Sequence, residues 1–332
     1  MREMILAGDI GGTKTSLALY ERQAGPGLPL EKEVFASQAF ESLEIIIHRY
    51  LANKPVRVHT ATFGVAGPVK DGRVQTTTLP WTLMETSLRT TLNGAPVFLL
   101  NDLSAAAHAV PYLVEEDIHT LTPGSPEKLG TLGLVSPGTG LGEAFLTWNG
   151  DKYQVHPSEG GHTTFGPTTQ EQAKMLGYLQ PTFGHVSYER VCSGSGIPNL
   201  YTFLRDDQQL PEPAWLGEAL ATAPDPNPVI FQAAIEGCVE LATRTLELFT
   251  EILANEAANL ALKVMATGGI YLGGGIPPRL ATWIKPDRFV KAFINKGRFT
   301  DWLSAIPIHI ITRPDTALLG AACYGFEQEK RL

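Results

Sequence analysis

Apolar positions along this chain fall into short alternating or continuous runs separated by glycine-rich turns, with stretches of helical spacing between them. "EMILAGDI" and "KTSLALYE" read as two strands joined by the tight turn "GGT", and "GPGLPLEKE" as a surface connection. "SLEIIIHRYLA" spaces its apolar residues as a helix does, and "VRVHTATFGVAG" returns to strand character. "APVFLLND" is nearly all apolar, as a buried strand is, and "LSAAAHAV" continues as helix. After the break "LTPGSPEKLG", the stretch "TLGLVSPGTGLGEAFLTWNG" repeats the sequence strand, turn, strand. The polar, proline-rich "RDDQQLPEPAWLGEALATAPDPNP" reads as a surface excursion. A long helical region follows, from "VIFQAAIEG" to "NLALKV", interrupted at most by Gly237. "VMATGGIYLGGGI" is strand-like, and the chain closes with the strand "IHIIT" and the helix "DTALLGAACYGFEQEKRL".

The alternation of strands and helices predicts an α/β protein. Gly/Thr hairpin turns at 11–15 and 138–142 occupy equivalent places in two halves, which points to a duplicated architecture and not to a long-period repeat array.

Composition narrows the function classes. At 332 residues the chain has room for two domains, and 43% apolar with 18% charged residues is ordinary for a soluble globular protein. A net charge of -8 argues against general affinity for nucleic acid or acidic membranes. Cys192, Cys238 and Cys323 lie far apart with no CxxC pair, which is neither a disulfide framework nor a zinc site and suits a reducing compartment. "MREMILAGDI" lacks the apolar core of a signal peptide, and no apolar run reaches the ~18 residues of a membrane span. The expectation is a cytoplasmic protein with no membrane or nucleic-acid partner.

"LAGDIGGTKTSLALY" almost spells a nucleotide P-loop, but its glycines run from strand into strand, not into a helix. A phosphate there would be held by turn amides and Thr13, with Asp9 at the strand tip able to orient a water on Mg²⁺. The other reading is a plain hairpin, Gly11 and Gly12 giving the turn geometry and Asp9 a local cap. "SPGTGLGE" adds a second flexible turn, in which Gly138, Thr139 and Gly140 let the backbone approach an oxyanion. Asp102 ends "VFLLND", where it is either an acceptor for a hydroxyl proton or a helix N-cap. "HPSEGGHTTFGP" joins Glu159 and His162 through two glycines, either a carboxylate beside an imidazole able to accept and donate hydrogen bonds together or a solvated loop Glu and a structural His. Glu189 by pattern alone is a solvated helix residue. Gly268, Gly269, Gly274 and Gly275 offer a side-chain-free surface for an adenine ring, or small residues for strand-to-helix packing.

The segments "GDIGGTKTSLAL", "NDLSAAA", "GTGLG", "EGGH", "YERVCSGSGIPNLY" and "ATGGIYLGGGIPPR" follow the order found in bacterial glucokinases. Over nearly its whole length the chain resembles that hexokinase-type, zinc-free family within the actin-like ATPase superfamily. The cysteine cluster of the related zinc-binding sugar kinases and repressors is missing, as is an N-terminal helix-turn-helix. The resemblance implies a two-domain, ribonuclease-H-like α/β fold with a cleft between domains. The small domain would span 1–103 plus the helix 315–332, and the large one 104–314. It implies transfer of the γ-phosphoryl group of ATP to the 6-hydroxyl of glucose, at the entry to glycolysis. Asp102 would be the catalytic base, with Asn101, Glu159, His162 and Glu189 on the sugar. ATP and Mg²⁺ would be held by Asp9, Gly11, Gly12, Thr13, Gly138, Thr139, Gly140, Gly268, Gly269, Gly274 and Gly275. No residue is a direct metal ligand in this reading, and the resemblance implies a homodimer, since relatives are commonly dimers. Ser136 and Glu143 depart from the family pattern, which usually has glycine at the first position and a small or apolar residue at the second. A kinase for another hexose, or an actin-like or chaperone-like ATP-binding module, are the alternatives.

Overall fold

The computed structural model describes residues 2–330, so Met1 and residues 331 and 332 of the expected closing helix lie outside it. The described chain divides into two compact units. One is the chain up to Asp117 together with the segment from Arg313 onward; the other is Ile118–Thr312.

The first unit holds a five-stranded sheet. It comprises β1 (Arg2–Ile10), β2 (Lys14–Glu21), β3 (Glu31–Ala36), β4 (Val56–Val65) and β7 (Val97–Asn101), in the order β3-β2-β1-β4-β7. Between them come the helix α1 (Leu43–Leu51), the two-stranded ribbon β5 (Arg73–Gln75) and β6 (Thr82–Met84), and the helix α2 (Glu85–Thr91). The helix α3 (Asp102–Ala109) follows β7 directly. β1 is antiparallel to β2 and parallel to β4, which in turn is parallel to β7. Strand periodicity sorts the two faces. Met4 and Leu6 pack with Ile46, Ile47 and Tyr50 of α1, whereas Ile5 and Ala7 pack with Leu318, Ala321 and Ala322 of the closing helix Thr316–Glu329. That helix also lies against α3 so closely that a Cβ at Gly320 would stand 1.6 Å from the Ala105 carbonyl oxygen. This contact ties α3 to the first unit, which therefore runs to Asp117 and not to the expected 103.

The second unit repeats the same strand order with one addition. β8 (Ile118–Thr122), β9 (Leu132–Pro137), β10 (Leu141–Trp148), β11 (Tyr153–Ser158), β12 (Gly269–Leu272) and β13 (Ile308–Ile311) form a sheet ordered β11-β10-β9-β12-β13-β8. β9, β10 and β11 make an antiparallel meander, and β12 and β13 add in parallel to β9. The duplication expected from the two turns is thus a repeat of sheet topology. Helices α4 (Gln170–Phe183), α5 (Ile197–Asp206), α6 (Ala214–Thr222), α7 (Asn227–Ile235) and α8 (Glu240–Val264) build the core with the sheet.

Several local expectations change. The proline-rich "surface excursion" contains α6, whose Leu216 is fully buried; the prolines and charges on either side of this short helix masked it in the sequence. The long helical region breaks at Gly237, which takes φ +65° between α7 and α8. The last residues of "GPGLPLEKE" open β3, and of "VMATGGIYLGGGI" only Gly269–Leu272 is strand. Among the described residues no helix is long and apolar enough to cross a membrane.

Candidate active site

In each unit the candidate residues gather at the carboxyl ends of the parallel strands, where α/β proteins bind their ligands. In the first unit, register pairs Ile10 with Val65 and Val65 with Asn101. The turn after β1, the end of β4 and the start of α3 therefore share one sheet edge. The "GGT" segment is a hairpin, with the Gly11 amide donating to the Lys14 carbonyl at 3.0 Å. The Gly11 carbonyl accepts from Ser37 Oγ at 2.7 Å and the Thr13 carbonyl from the Ser37 amide at 3.0 Å. Buried Ser37, which the sequence did not reveal, thus fixes the turn. A Cβ at Gly12 would stand 2.0 Å from Thr78 Oγ1, so the close approach of that side chain is what favours glycine here.

Asn101, not Asp102, caps α3. Its Oδ1 accepts from the Leu103 and Ser104 amides at 3.0 and 3.4 Å, and its Nδ2 donates to the Gly67 carbonyl at 3.1 Å. The same amide also faces the Asp102 carboxylate, whose ionised form it favours. Asp102 is the first residue of the helix, and its Oδ1 accepts from the Leu103 amide at 2.9 Å. Water reaches this carboxylate, yet the surrounding protein raises it above the ordinary aspartate range. Asp9, half-buried at the tip of β1, is raised to about 6, first by burial and then by the charge of Asp102. Two carboxylates that repel one another fit a cation that keeps most of its waters, as Mg²⁺ does beside phosphates. No cluster of three or more His, Cys, Asp or Glu that could hold a metal directly occurs among the described residues.

In the second unit, Leu272 pairs with Val135, so the turn 138–140 and the glycines after β12 lie at one edge. The Gly138 and Thr139 carbonyls accept from the Gly194 and Ser195 amides at 2.7 and 3.1 Å, and Asn227 Nδ2 holds the Gly194 carbonyl at 3.0 Å. The "SGSG" stretch is therefore the backing of the phosphate-type turn. Gly138 itself is open, with nothing within 4 Å of where a Cβ would lie. Gly274, at φ +79°, packs on the Pro137 carbonyl, where a Cβ would stand 2.5 Å away, and Gly275 is open. Gly268 and Gly269 sit at the other end of β12. Added Cβ atoms there would meet the Gly130 carbonyl oxygen at 2.5 Å and Pro307 Cγ at 3.1 Å. Strand packing accounts for both, and they lie away from the edge that carries the turn.

Glu159, His162 and Glu189 converge. His162 Nε2 lies 3.8 Å from Glu159 Oε2, and His162 Nδ1 lies 4.0 Å from Glu189 Oε1. The Glu159 side chain is 92% exposed, and that of Glu189 only 26%. Glu189 is locked to the phosphate-type turn: its Oε2 accepts from the Leu141 amide at 3.1 Å and would be 2.5 Å from a Cβ at Gly140. Its backbone amide in turn donates to the Gly161 carbonyl at 2.8 Å. Gly161 has no room for a side chain, since a Cβ would stand 2.1 Å from the Leu141 carbonyl oxygen. Two carboxylates and an imidazole thus surround the strand that leaves the turn, a donor–acceptor set suited to vicinal hydroxyls.

Comparison with known proteins extends this likeness to the whole chain. The family model for glucokinase matches residues 6–328. The chain is 37% identical to the glucokinase of Nostoc punctiforme over 334 aligned residues, covering 96% of this chain and 98% of that one. It is 34% identical to the glucokinase of Yersinia enterocolitica, covering 98% and 97%. Among solved structures, the glucokinase from an Antarctic psychrotroph superposes with a TM-score of 0.87 at 31% identity, covering 98% and 99%.

Proposed function

Because the chain belongs to the glucokinase family, we propose that it transfers the γ-phosphoryl group of ATP to the 6-hydroxyl of glucose, releasing ADP and glucose 6-phosphate. The observation that carries the assignment of roles is the convergence of Glu159, His162 and Glu189 on the turn Gly138–Gly140. Sugar-type and phosphate-type elements share one strand end. Glu189 and Glu159 accept hydroxyl hydrogens, and His162 between them can donate or accept.

Asp102 takes the proton of the attacking hydroxyl. It needs to be ionised to do so, and its raised position keeps it basic enough to compete for that proton. Asn101 fixes where α3 begins and so where Asp102 points, and the family resemblance supports its amide as a sugar ligand. The amides of Gly12 and Thr13 in the first turn and of Thr139 and Gly140 in the second bind phosphate oxygens, those of Gly11 and Gly138 being held within their turns, and the surface beside Gly274 and Gly275 accommodates the adenine. Asp9 would hold Mg²⁺ through water beside the phosphates, where the cation would supply neutralisation of charge on the moving group. Catalysis is then mainly placement and electrostatics. The family resemblance further supports a cytoplasmic homodimer feeding glycolysis; light scattering in solution tests the dimer.

Coupled ADP release with a panel of hexoses and phosphoryl donors tests the reading. Glucose with ATP gives the highest kcat/KM. Release with another hexose but not glucose would move the substrate, and none with any sugar would remove the activity. Asp102→Asn retains glucose binding and lowers kcat by ~10²-fold or more; near-normal turnover in this variant would refute the base assignment.

A further inference from the structure

Two buried carboxyl groups lie beneath the loop that carries Glu159 and His162. Glu143, on β10, is 1% exposed, and Glu256, on α8, is 0% exposed. They lie close enough to influence one another, and Oε1 of each is buried without a hydrogen-bond partner among the described residues. Two ionised carboxylates cannot share such a volume without a large cost, and neither can donate to the other. A proton held between them removes both difficulties.

The neighbours say where that proton rests. Asn259 Nδ2 donates to Glu256 Oε2 at 2.8 Å and to the Tyr188 hydroxyl at 2.8 Å, and its Oδ1 accepts from Lys296 Nζ at 2.7 Å. The Tyr188 hydroxyl, which accepts from Asn259, lies beside Glu256. Lys263 Nζ lies 3.7 Å from Glu256 Oε1. The other titratable neighbour is the Cys192 thiol, pushed up by burial and by both carboxylates. Glu256 therefore has a donor in Asn259 and two cations facing it, Lys263 and Lys296, whereas Glu143 gains little from either. The proton belongs on Glu143, which burial and the charge of Glu256 push up to about 8.

The pair touches the sugar-side loop at two points. A Cβ at Gly160 would stand 1.9 Å from Glu143 Oε2, so the turn rests directly on that carboxyl group. Tyr188, oriented by Glu256 and Asn259, precedes Glu189, and its amide donates to the Thr163 carbonyl at 3.0 Å. We propose that Glu143 and Glu256 hold one proton between them and act as a positioning pair, supporting Gly160 from below and fixing Tyr188 so that His162 and Glu189 meet the sugar. This rests on the sugar-binding role given to that loop above. Losing the proton sets two negative charges against each other under Gly160, and the loop shifts away from its sugar-binding arrangement.

The test measures glucose Kd by calorimetry, and KM and kcat by ADP release, between pH 6.5 and 9.5. Wild type, Glu143→Gln and Glu256→Gln are compared. Where only the protonated pair is competent and its proton leaves near 8, glucose Kd and KM in the wild type rise about tenfold from pH 7 to pH 9, with KM for ATP nearly constant. Glu143→Gln, a permanent donor without charge, keeps the low-pH values across the range. Glu256→Gln also abolishes the rise, because it removes the opposing charge. An infrared carboxylic-acid band present at pH 7, lost by pH 9 and absent from Glu143→Gln reports the proton without any sugar. Absence of that band, or a glucose Kd that climbs equally in wild type and Glu143→Gln, overturns the proposal. A wild type that turns over no hexose while showing the band would instead overturn the substrate reading, and the loop role with it.

Discussion

Gly320→Ala sets two general effects against each other. In the middle of the helix Thr316–Glu329, alanine should stabilise by ~1 kcal/mol through backbone propensity. The structure predicts the opposite sign. The new Cβ would stand 1.6 Å from the Ala105 carbonyl oxygen and 2.9 Å from the Ala109 amide, both backbone atoms of α3 that no rotamer change can move. Restoring an ordinary contact of about 3.5 Å requires the two helices to part by roughly 2 Å. Overpacking of this kind costs ~1–3 kcal/mol or more. It is joined here by lost burial of Leu318, Ala321 and Ala322 against β1 and β2. Net destabilisation of ~2 kcal/mol or more is expected once the propensity gain is subtracted. The functional consequence follows from where α3 begins. Asp102 lies one turn before Ala105, and a displacement of ~1 Å at a catalytic group can lower turnover by ~10²-fold. Urea unfolding gives the stability, and ADP release at saturating glucose and ATP gives kcat. A variant as stable as wild type, or more so, would show that propensity governs this crossing and would refute the packing argument.

Three further outcomes follow from the same geometry. Gly138→Ala meets no protein atom within 4 Å, so its unfolding midpoint should match wild type while KM for ATP rises; an unchanged KM would remove this turn from the phosphate site. Glu189→Gln keeps the acceptor for the Leu141 amide but loses charge beside His162, so KM for glucose rises while KM for ATP holds, as hexose and ATP titrations would show. Glu143 has a folded value near 8 against 4.5 for the free group, so the native state binds more protons than the unfolded one between those values. Wild-type stability from this group therefore falls as pH rises from 4.5 to 8, by at most ~1.4 kcal/mol per pH unit. Glu143→Gln should gain on wild type over that window in urea titrations; a constant difference across it would deny the shift.

The fold was legible where one period dominated. β1, β2, β9 and β10 are long apolar runs with a glycine turn between each pair, and the pattern gives them almost to the residue. The duplication was legible for the same reason, because the turns recur at the same topological place. What pattern reading lost were elements stabilised by a few contacts at a distance. α6 holds to the core through Leu216, and β3 is an edge strand with an exposed Val34 and mostly charged residues. The domain limit at 117 depends on a glycine in the last helix meeting an alanine carbonyl more than two hundred residues earlier, which no local period encodes.

The site divides in the same way. Asp102, His162 and the two turns could be named as candidates, but type and spacing left Asp102 open between proton acceptor and helix cap, and the family resemblance supplied the proposed roles. Their supports could not be named, since a support is defined only by what it touches. Ser37 fixes two carbonyls of the first turn, Gly194 and Ser195 back the second, and Asn101 caps the helix that Asp102 opens. Glycines gave the least specific signal. Gly160, Gly161 and Gly274 lie against carbonyl or carboxyl oxygens at the loops, while Gly268 and Gly269 serve strand packing, though all read alike in sequence. Glu143 is the instructive case. It stood out in sequence as an acid where an apolar residue is usual, and a lone buried acid makes no sense on its own. Only with Glu256 brought alongside by α8 does the departure acquire a physical reason: one charge alone would be too costly to bury, but two carboxyls with one proton form a hydrogen bond that can carry a loop.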